Sequence, residues 1–205
     1  SATVRDGFAF SENVVALRLA ERAGLGEVIK LARRLGISTP LEPDFNTILG
    51  GRETYLYELA RAYAVVANGG RSVPMHGVNR IYDLGICGSI KCLEQCPERG
   101  ITVPIGEQSR QLLSPELAAT MDQLLAGVVQ GGTGRAAGLV PDARGKTGTT
   151  NNGVDVLFVG YSPASKLLTA IWMGNDDNTL AEAASGALVA DLWGRYMQQA
   201  ATAAP

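Results

Sequence analysis

Apolar residues recur at helical spacing along five stretches of the chain and merge into two nearly unbroken runs late in it. Val14, Leu17 and Ala20 follow Ser11, a residue type that caps helix starts, and this first stretch stops at Gly24. Val28, Leu31, Ala32 and Leu35 form a second stripe over 27–35, closed by Gly36. A loop containing Pro40 and Pro43 comes next. Thr54 is the expected cap of a third helix reaching residue 68, with Leu56, Leu59, Ala60, Tyr63 and Ala67 on one face and Gly69-Gly70 as the stop. Ser114-Pro115-Glu116 opens a fourth, whose stripe is Leu117, Met121, Leu124, Leu125 and Val128 and whose end is Gly131-Gly132. The fifth is expected over 181–199, with Leu188, Leu192, Trp193 and Tyr196 inward and a fraying alanine-rich tail.

Between the fourth and fifth helices the period changes. Gly145-Lys146-Thr147-Gly148-Thr149-Thr150 is short and β-prone, Asn151-Asn152-Gly153 is a tight-turn sequence, and the apolar runs 154–161 and 167–174 follow. This predicts three antiparallel strands with the lysine strand outermost. The two later runs are apolar at nearly every position, so helices are expected on both faces of the sheet. Residues 71–83 read as a strand or two and 101–105 as a returning strand. Between them, 84–100 reads as a surface insertion that carries the cysteines. Helices first and sheet late make the fold class α+β.

Composition narrows the partners. The 205 residues are 46% hydrophobic and 19% charged with net charge −2, so no basic surface points to nucleic acid. No apolar run approaches the roughly 18 residues of a membrane span. The start, Ser1-Ala2-Thr3-Val4-Arg5-Asp6, is polar and lacks signal-peptide features; a helical pattern follows almost at once, as expected of a cut within a longer chain. Cys87, Cys92 and Cys96 lie together in one loop-like stretch, and with the only histidine, His76, they number no more than the four ligands that a structural zinc site takes; no metal is expected. One disulfide with a leftover thiol and three free thiols both fit this cysteine spacing.

The candidate chemistry lies in two segments. Lys146 with Thr147, Gly148 and Thr149 can present one fixed cation, hydroxyls and backbone N–H groups to an anion, the glycine leaving room for a ligand against the backbone. The second segment is Ser11-Glu12-Asn13. Alone, each has an ordinary structural reading: an edge strand rich in threonine, and a helix cap with a polar first turn.

In this order and on these elements, the two segments resemble the Ser-x-Asn and Lys-Thr-Gly motifs of the serine penicillin-recognising enzymes. Residues 9–19 resemble the Ser-x-Asn region of bifunctional, class A penicillin-binding proteins. So do Glu58 to Tyr63 with Asn68-Gly69-Gly70, Gly132-Thr133-Gly134-Arg135-Ala136-Ala137, and Phe158-Val159-Gly160-Tyr161-Ser162-Pro163. The resemblance implies a β-lactamase/DD-peptidase-like fold, incomplete here, and the C-terminal portion of a transpeptidase domain over 1–205. It implies acyl transfer from peptidoglycan stem peptides ending in D-Ala-D-Ala, with β-lactam antibiotics as mimics and no cofactor. Ser11, Asn13 and Lys146 are then the catalytic group, and Thr147, Gly148 and Thr149 bind substrate. An extracytoplasmic site on a membrane-anchored parent is implied as well.

The family's nucleophile motif, Ser-x-x-Lys, is absent. Three places before Lys30, Lys91, Lys146 and Lys166 stand Glu27, Gly88, Ala143 and Pro163. The nucleophile is therefore expected upstream, and these residues alone are expected to be inactive. Two other readings are a DD-carboxypeptidase or β-lactamase-type hydrolase and a non-catalytic sensor or scaffold on the same fold. The insertion over 84–100 is expected to lie away from the groove. Replacing Cys87, Cys92 and Cys96 with serine in the complete domain should leave fluorescent-penicillin binding unchanged; a large loss would place the insertion in the site.

Overall fold

A computed structural model describes residues 3–78, 80–82, 100–102, 108–150, 153–181 and 184–203. Cys87, Cys92 and Cys96, with nearly all of the expected insertion, lie outside the described residues, as do Asn151 and Asn152 of the expected turn. The chain forms two compact units, one of residues up to Ser72 and from Gln111 onward, the other of Val73–Arg110. The smaller unit contains β1 (Arg80–Tyr82) paired antiparallel with β2 (Gly100–Thr102), Arg80 opposite Thr102.

The larger unit begins with a helix that the apolar pattern does not announce, α1 (Val4–Ala9). Thr3 caps it, its hydroxyl accepting from the Asp6 N–H at 3.1 Å. The helices α2 (Asn13–Ala23), α3 (Leu25–Arg34), the single turn α4 (Phe45–Ile48) and α5 (Leu56–Ala67) follow. Two expected caps are not caps. The cap of α2 is Glu12, because Ser11 has φ +60° and capping requires an extended backbone. The cap of α5 is Tyr55, while the Thr54 hydroxyl donates to Glu58 Oε2 at 3.4 Å.

Helix α6 (Pro115–Gly131) starts as expected, the Ser114 hydroxyl accepting from the Leu117 N–H at 3.2 Å with proline in the first turn. Its buried face is Ala118, Leu125, Ala126, Val128 and Val129; Leu117, expected inward, is exposed. A 3₁₀ turn (Arg135–Leu139) leads into the sheet, which is β3 (Arg144–Thr149), β4 (Val156–Ser162) and β5 (Leu167–Met173), all antiparallel and in that order. Helix α7 (Gly186–Ala203) closes the unit, and Ala204 and Pro205 of the tail expected to fray lie outside the described residues.

Helices cover both faces of the sheet, as the unbroken apolar runs require. On one face Val156 and Phe158 meet α7 through Val189, Ala190, Trp193 and Met197. Phe158 and Trp193 pack with ring centres 5.1 Å apart at 55°, and the Trp193 indole N–H donates to the Thr169 carbonyl at 3.1 Å. This contact corrects the inward face of α7, since Leu188, Leu192 and Tyr196 are exposed. The stripe one position later carries the large aromatic that fits over Phe158. On the other face α6 is tied down by Asp122, which accepts from Arg144 Nε at 2.9 Å and from the Tyr161 hydroxyl at 2.8 Å.

Gly145 is where β3 crosses the Phe158 ring: a Cβ there would come within 2.5 Å of it. Trp193→Ala should therefore destabilise the chain by about 3–5 kcal/mol, through lost burial and the cavity left over Phe158. Urea unfolding measures it, and a loss under about 1 kcal/mol would show that α7 does not close the core.

Candidate functional site

Ser11, Asn13, Lys146, Thr147, Gly148 and Thr149 line one cavity of about 1130 Å³. The loop following α4 and the start of α5 complete its wall, with Ile48, Arg52, Thr54 and Leu59 among the lining side chains. Lys146 Nζ donates to Ser11 Oγ, joining residues 135 positions apart, and donates to the Thr147 carbonyl at 3.0 Å.

The register of the sheet explains how β3 can serve this cavity. The Thr150 N–H donates to the Asp155 carbonyl at 3.0 Å, and the ladder continues without a bulge from Thr149–Val156 to Arg144–Tyr161. In an antiparallel ladder hydrogen-bonded pairs alternate, so Gly148 and Lys146 bond toward β4 and the backbone N–H groups of Thr147 and Thr149 point to the open edge. Side-chain alternation places Lys146 on the α6 face and Thr147 and Thr149 on the α7 face. The cavity thus wraps the free edge of one strand.

Ser11 reaches Lys146 because the α1–α2 turn bends through a left-handed residue. The Glu12 N–H donates to the Gly7 carbonyl at 2.8 Å, and the Thr133 N–H donates to the Ala9 carbonyl at 3.0 Å. Gly132 lies so close to that carbonyl that a Cβ there would collide with it. Asn13 is exposed in the first turn of α2, its amide without a hydrogen-bond partner among the described residues.

Two further residues of the cavity, Thr133 and Trp172, and one that supports its loop, Glu58, have no role assigned from the sequence. Thr133 shares a 2.7 Å hydrogen bond between its hydroxyl and that of Thr147; its place in a Gly-Gly-Thr-Gly run was the available signal. Trp172, half exposed in the wall, donates its indole N–H to Asp155 Oδ1 at 2.8 Å. Glu58 is 2% exposed and accepts from the Ser38 N–H at 3.1 Å and the Ser38 hydroxyl at 2.5 Å, fastening the 38–54 loop to α5. The hydrogen bonds from Ser38 hold its carboxyl below the usual range despite burial.

The profile of the penicillin-binding protein transpeptidase domain matches residues 1–198. The chain belongs to this family. Penicillin-binding protein 1A of Neisseria meningitidis serogroup A is 32% identical over 201 residues, covering 96% of this chain and 24% of that protein. The same-named protein of Rickettsia typhi is 30% identical over 85% of this chain and 23% of its own length. The chain thus spans about a quarter of the length of these curated relatives. The crystal structure of penicillin-binding protein 1A from Haemophilus influenzae superposes with a TM-score of 0.79 at 25% identity, over 98% of this chain and 34% of that one. An imipenem acyl-enzyme complex of penicillin-binding protein A from Mycobacterium tuberculosis shares the fold, with a TM-score of 0.73 at 22% identity, over 98% and 48% of the two chains.

Within this penicillin-binding fold Lys146 is half-buried and has no carboxylate partner among the described residues; desolvation lowers its pKa to about 8 from 10.5. Below about pH 8 the folded and unfolded chains are both charged here, and the full burial penalty opposes folding. Between about 8 and 10.5 the folded chain has lost a proton that the unfolded chain keeps, so stability rises with pH. Relative to Lys146→Met, the unsubstituted chain should gain on the order of 1–3 kcal/mol across that window. Paired urea titrations at several pH values report the difference; a constant offset would mean that Lys146 titrates as an ordinary surface lysine.

Proposed function

We propose that this chain supplies the substrate-recognising part of a peptidoglycan DD-transpeptidase site. The observation that carries the reading is the Lys146–Ser11 hydrogen bond, which brings the Ser-x-Asn and Lys-Thr-Gly segments together beside an open strand edge. The donor stem peptide ends in D-Ala-D-Ala, and its terminal carboxylate is met by the Lys146 ammonium and the hydroxyls of Thr147 and Thr149. The outward N–H of Thr149 is half of an oxyanion hole, a donor of a kind worth ~3–4 kcal/mol in the transition state.

In the reaction, a nucleophilic serine from elsewhere in the protein attacks the penultimate D-Ala carbonyl. The terminal D-Ala leaves as an amine, taking up a proton relayed through Ser11, which Lys146 keeps in a polar, charged surrounding. Asn13, whose amide has no partner among the described residues, holds the substrate's peptide group. An amine of a neighbouring stem peptide then attacks the ester, completing the cross-link and freeing the serine. β-Lactams enter as mimics of the donor and stop at the ester. The substrate places the site outside the cytoplasm, in a protein anchored to the membrane; no helix among the described residues is long and apolar enough to cross one.

The 205 residues contain no Ser-x-x-Lys. A fluorescent penicillin should therefore leave no adduct on this chain by intact mass, whereas the full-length protein should label at one serine outside these residues. A penicilloyl adduct on this chain, at Ser11 above all, would make that serine the nucleophile and overturn the roles assigned to Ser11 and Lys146.

A further inference from the structure

Thr147 is held from two sides before any ligand arrives. Its carbonyl accepts from Lys146 Nζ at 3.0 Å, and its hydroxyl is 2.7 Å from that of Thr133. Thr133 is itself fixed by its backbone, its N–H donating to the Ala9 carbonyl at 3.0 Å just ahead of the Ser11 turn. Gly132 and Gly134 on either side both donate to the Val128 carbonyl, at 3.1 and 3.0 Å, clamping the loop onto the end of α6. One residue thus touches both halves of the site, Ser11's turn through its backbone and β3 through its side chain.

We propose that Thr133 is a positioning residue that aims the Thr147 hydroxyl at the ligand's carboxylate. A threonine hydroxyl has one proton and two acceptor positions. When Thr133 donates to Thr147 Oγ1, the Thr147 proton is left free to meet an anion in the cavity. Without that donor, the Thr147 hydroxyl turns toward other acceptors and the anion loses an oriented, charge-assisted hydrogen bond. Lys146 cannot replace it, since two of its three N–H donors go to Ser11 and the Thr147 carbonyl and the third is the one that meets the same carboxylate. The inference rests on the transpeptidase reading above.

The experiment uses the full-length protein, with benzylpenicillin and its methyl ester as probes and the second-order acylation rate as readout. Thr133→Val keeps the shape and the backbone bond to Ala9 but removes the hydroxyl. It should slow acylation by the acid about tenfold, the scale of one lost hydrogen bond to a charged group, and leave the rate with the ester nearly unchanged. Thr133→Ser should restore the acid rate to within about twofold, and the melting temperature should stay level across the set. Equal losses on acid and ester, a serine variant no better than valine, or a valine variant as fast as the parent would overturn the proposal while leaving the transpeptidase reading intact. An unsubstituted protein that neither reagent acylates would overturn that reading and this inference with it.

Discussion

An ammonium group drawn partly out of water and held against a serine hydroxyl is the arrangement on which the larger unit depends. Lys146 sits on β3 and Ser11 on the turn before α2, and their hydrogen bond spans most of the sequence. Burial without a carboxylate partner is unfavourable for a lysine, and the cost shows as a pKa pushed down to about 8. An anion entering the cavity would relieve that cost. On the proposed function, that relief is an exchange of stability for binding.

The scaffold answers by fixing each partner separately. Strand β3 is pressed against Phe158 through Gly145, and Phe158 is backed by Trp193 of α7. Its first residue, Arg144, is anchored on Asp122 of α6, which the Tyr161 hydroxyl also engages. Ser11 is bent into a left-handed conformation that costs on the order of 1 kcal/mol for a residue other than glycine. The bonds from Glu12 to Gly7 and from Thr133 to Ala9 offset it. On the opposite wall the buried Glu58 fastens the 38–54 loop through Ser38 and Thr54. A carboxylate this buried is tolerable only because neutral donors satisfy it, and losing the Ser38 hydroxyl would leave it the Ser38 N–H and the longer bonds from Thr54 and Tyr57.

An open strand edge is normally a liability, because unpaired N–H groups invite other strands. Here the edge of β3 is what the cavity uses. Lys146 folds over it to the Thr147 carbonyl, and Thr133 covers it at the hydroxyl of the same residue. The outward N–H groups of Thr147 and Thr149 stay on that edge, where residues 147–149 line the cavity. The likeness to transpeptidase domains at TM-scores of 0.79 and 0.73 shows that this disposition of helices about the sheet recurs in the family.

The sequence by itself determined the elements with strong local signals: α6 with its Ser114 cap and proline, the three late strands, and the two motif segments. These are legible because capping, turn chemistry and near-continuous apolar runs act over a few residues. It also supplied the six expected lining residues, through their likeness to a family rather than through their spacing alone. Tertiary structure decided which of two apolar stripes on α7 turns inward, because both 188/192/196 and 189/193/197 read as helical faces and only contact with Phe158 selects the second. It decided that Ser11 does not cap a helix: its backbone is left-handed where capping needs an extended residue, and its hydroxyl accepts from Lys146 instead. Helix α1 escaped notice because six residues carry too little period to recognise, and it is held by Thr3 and by packing on α6. Thr133, which lines the cavity, and Glu58, which fastens the 38–54 loop, carry no local signal for a common reason: their partners stand 14 and 20 positions away, and no local rule records a hydrogen bond that only the fold creates.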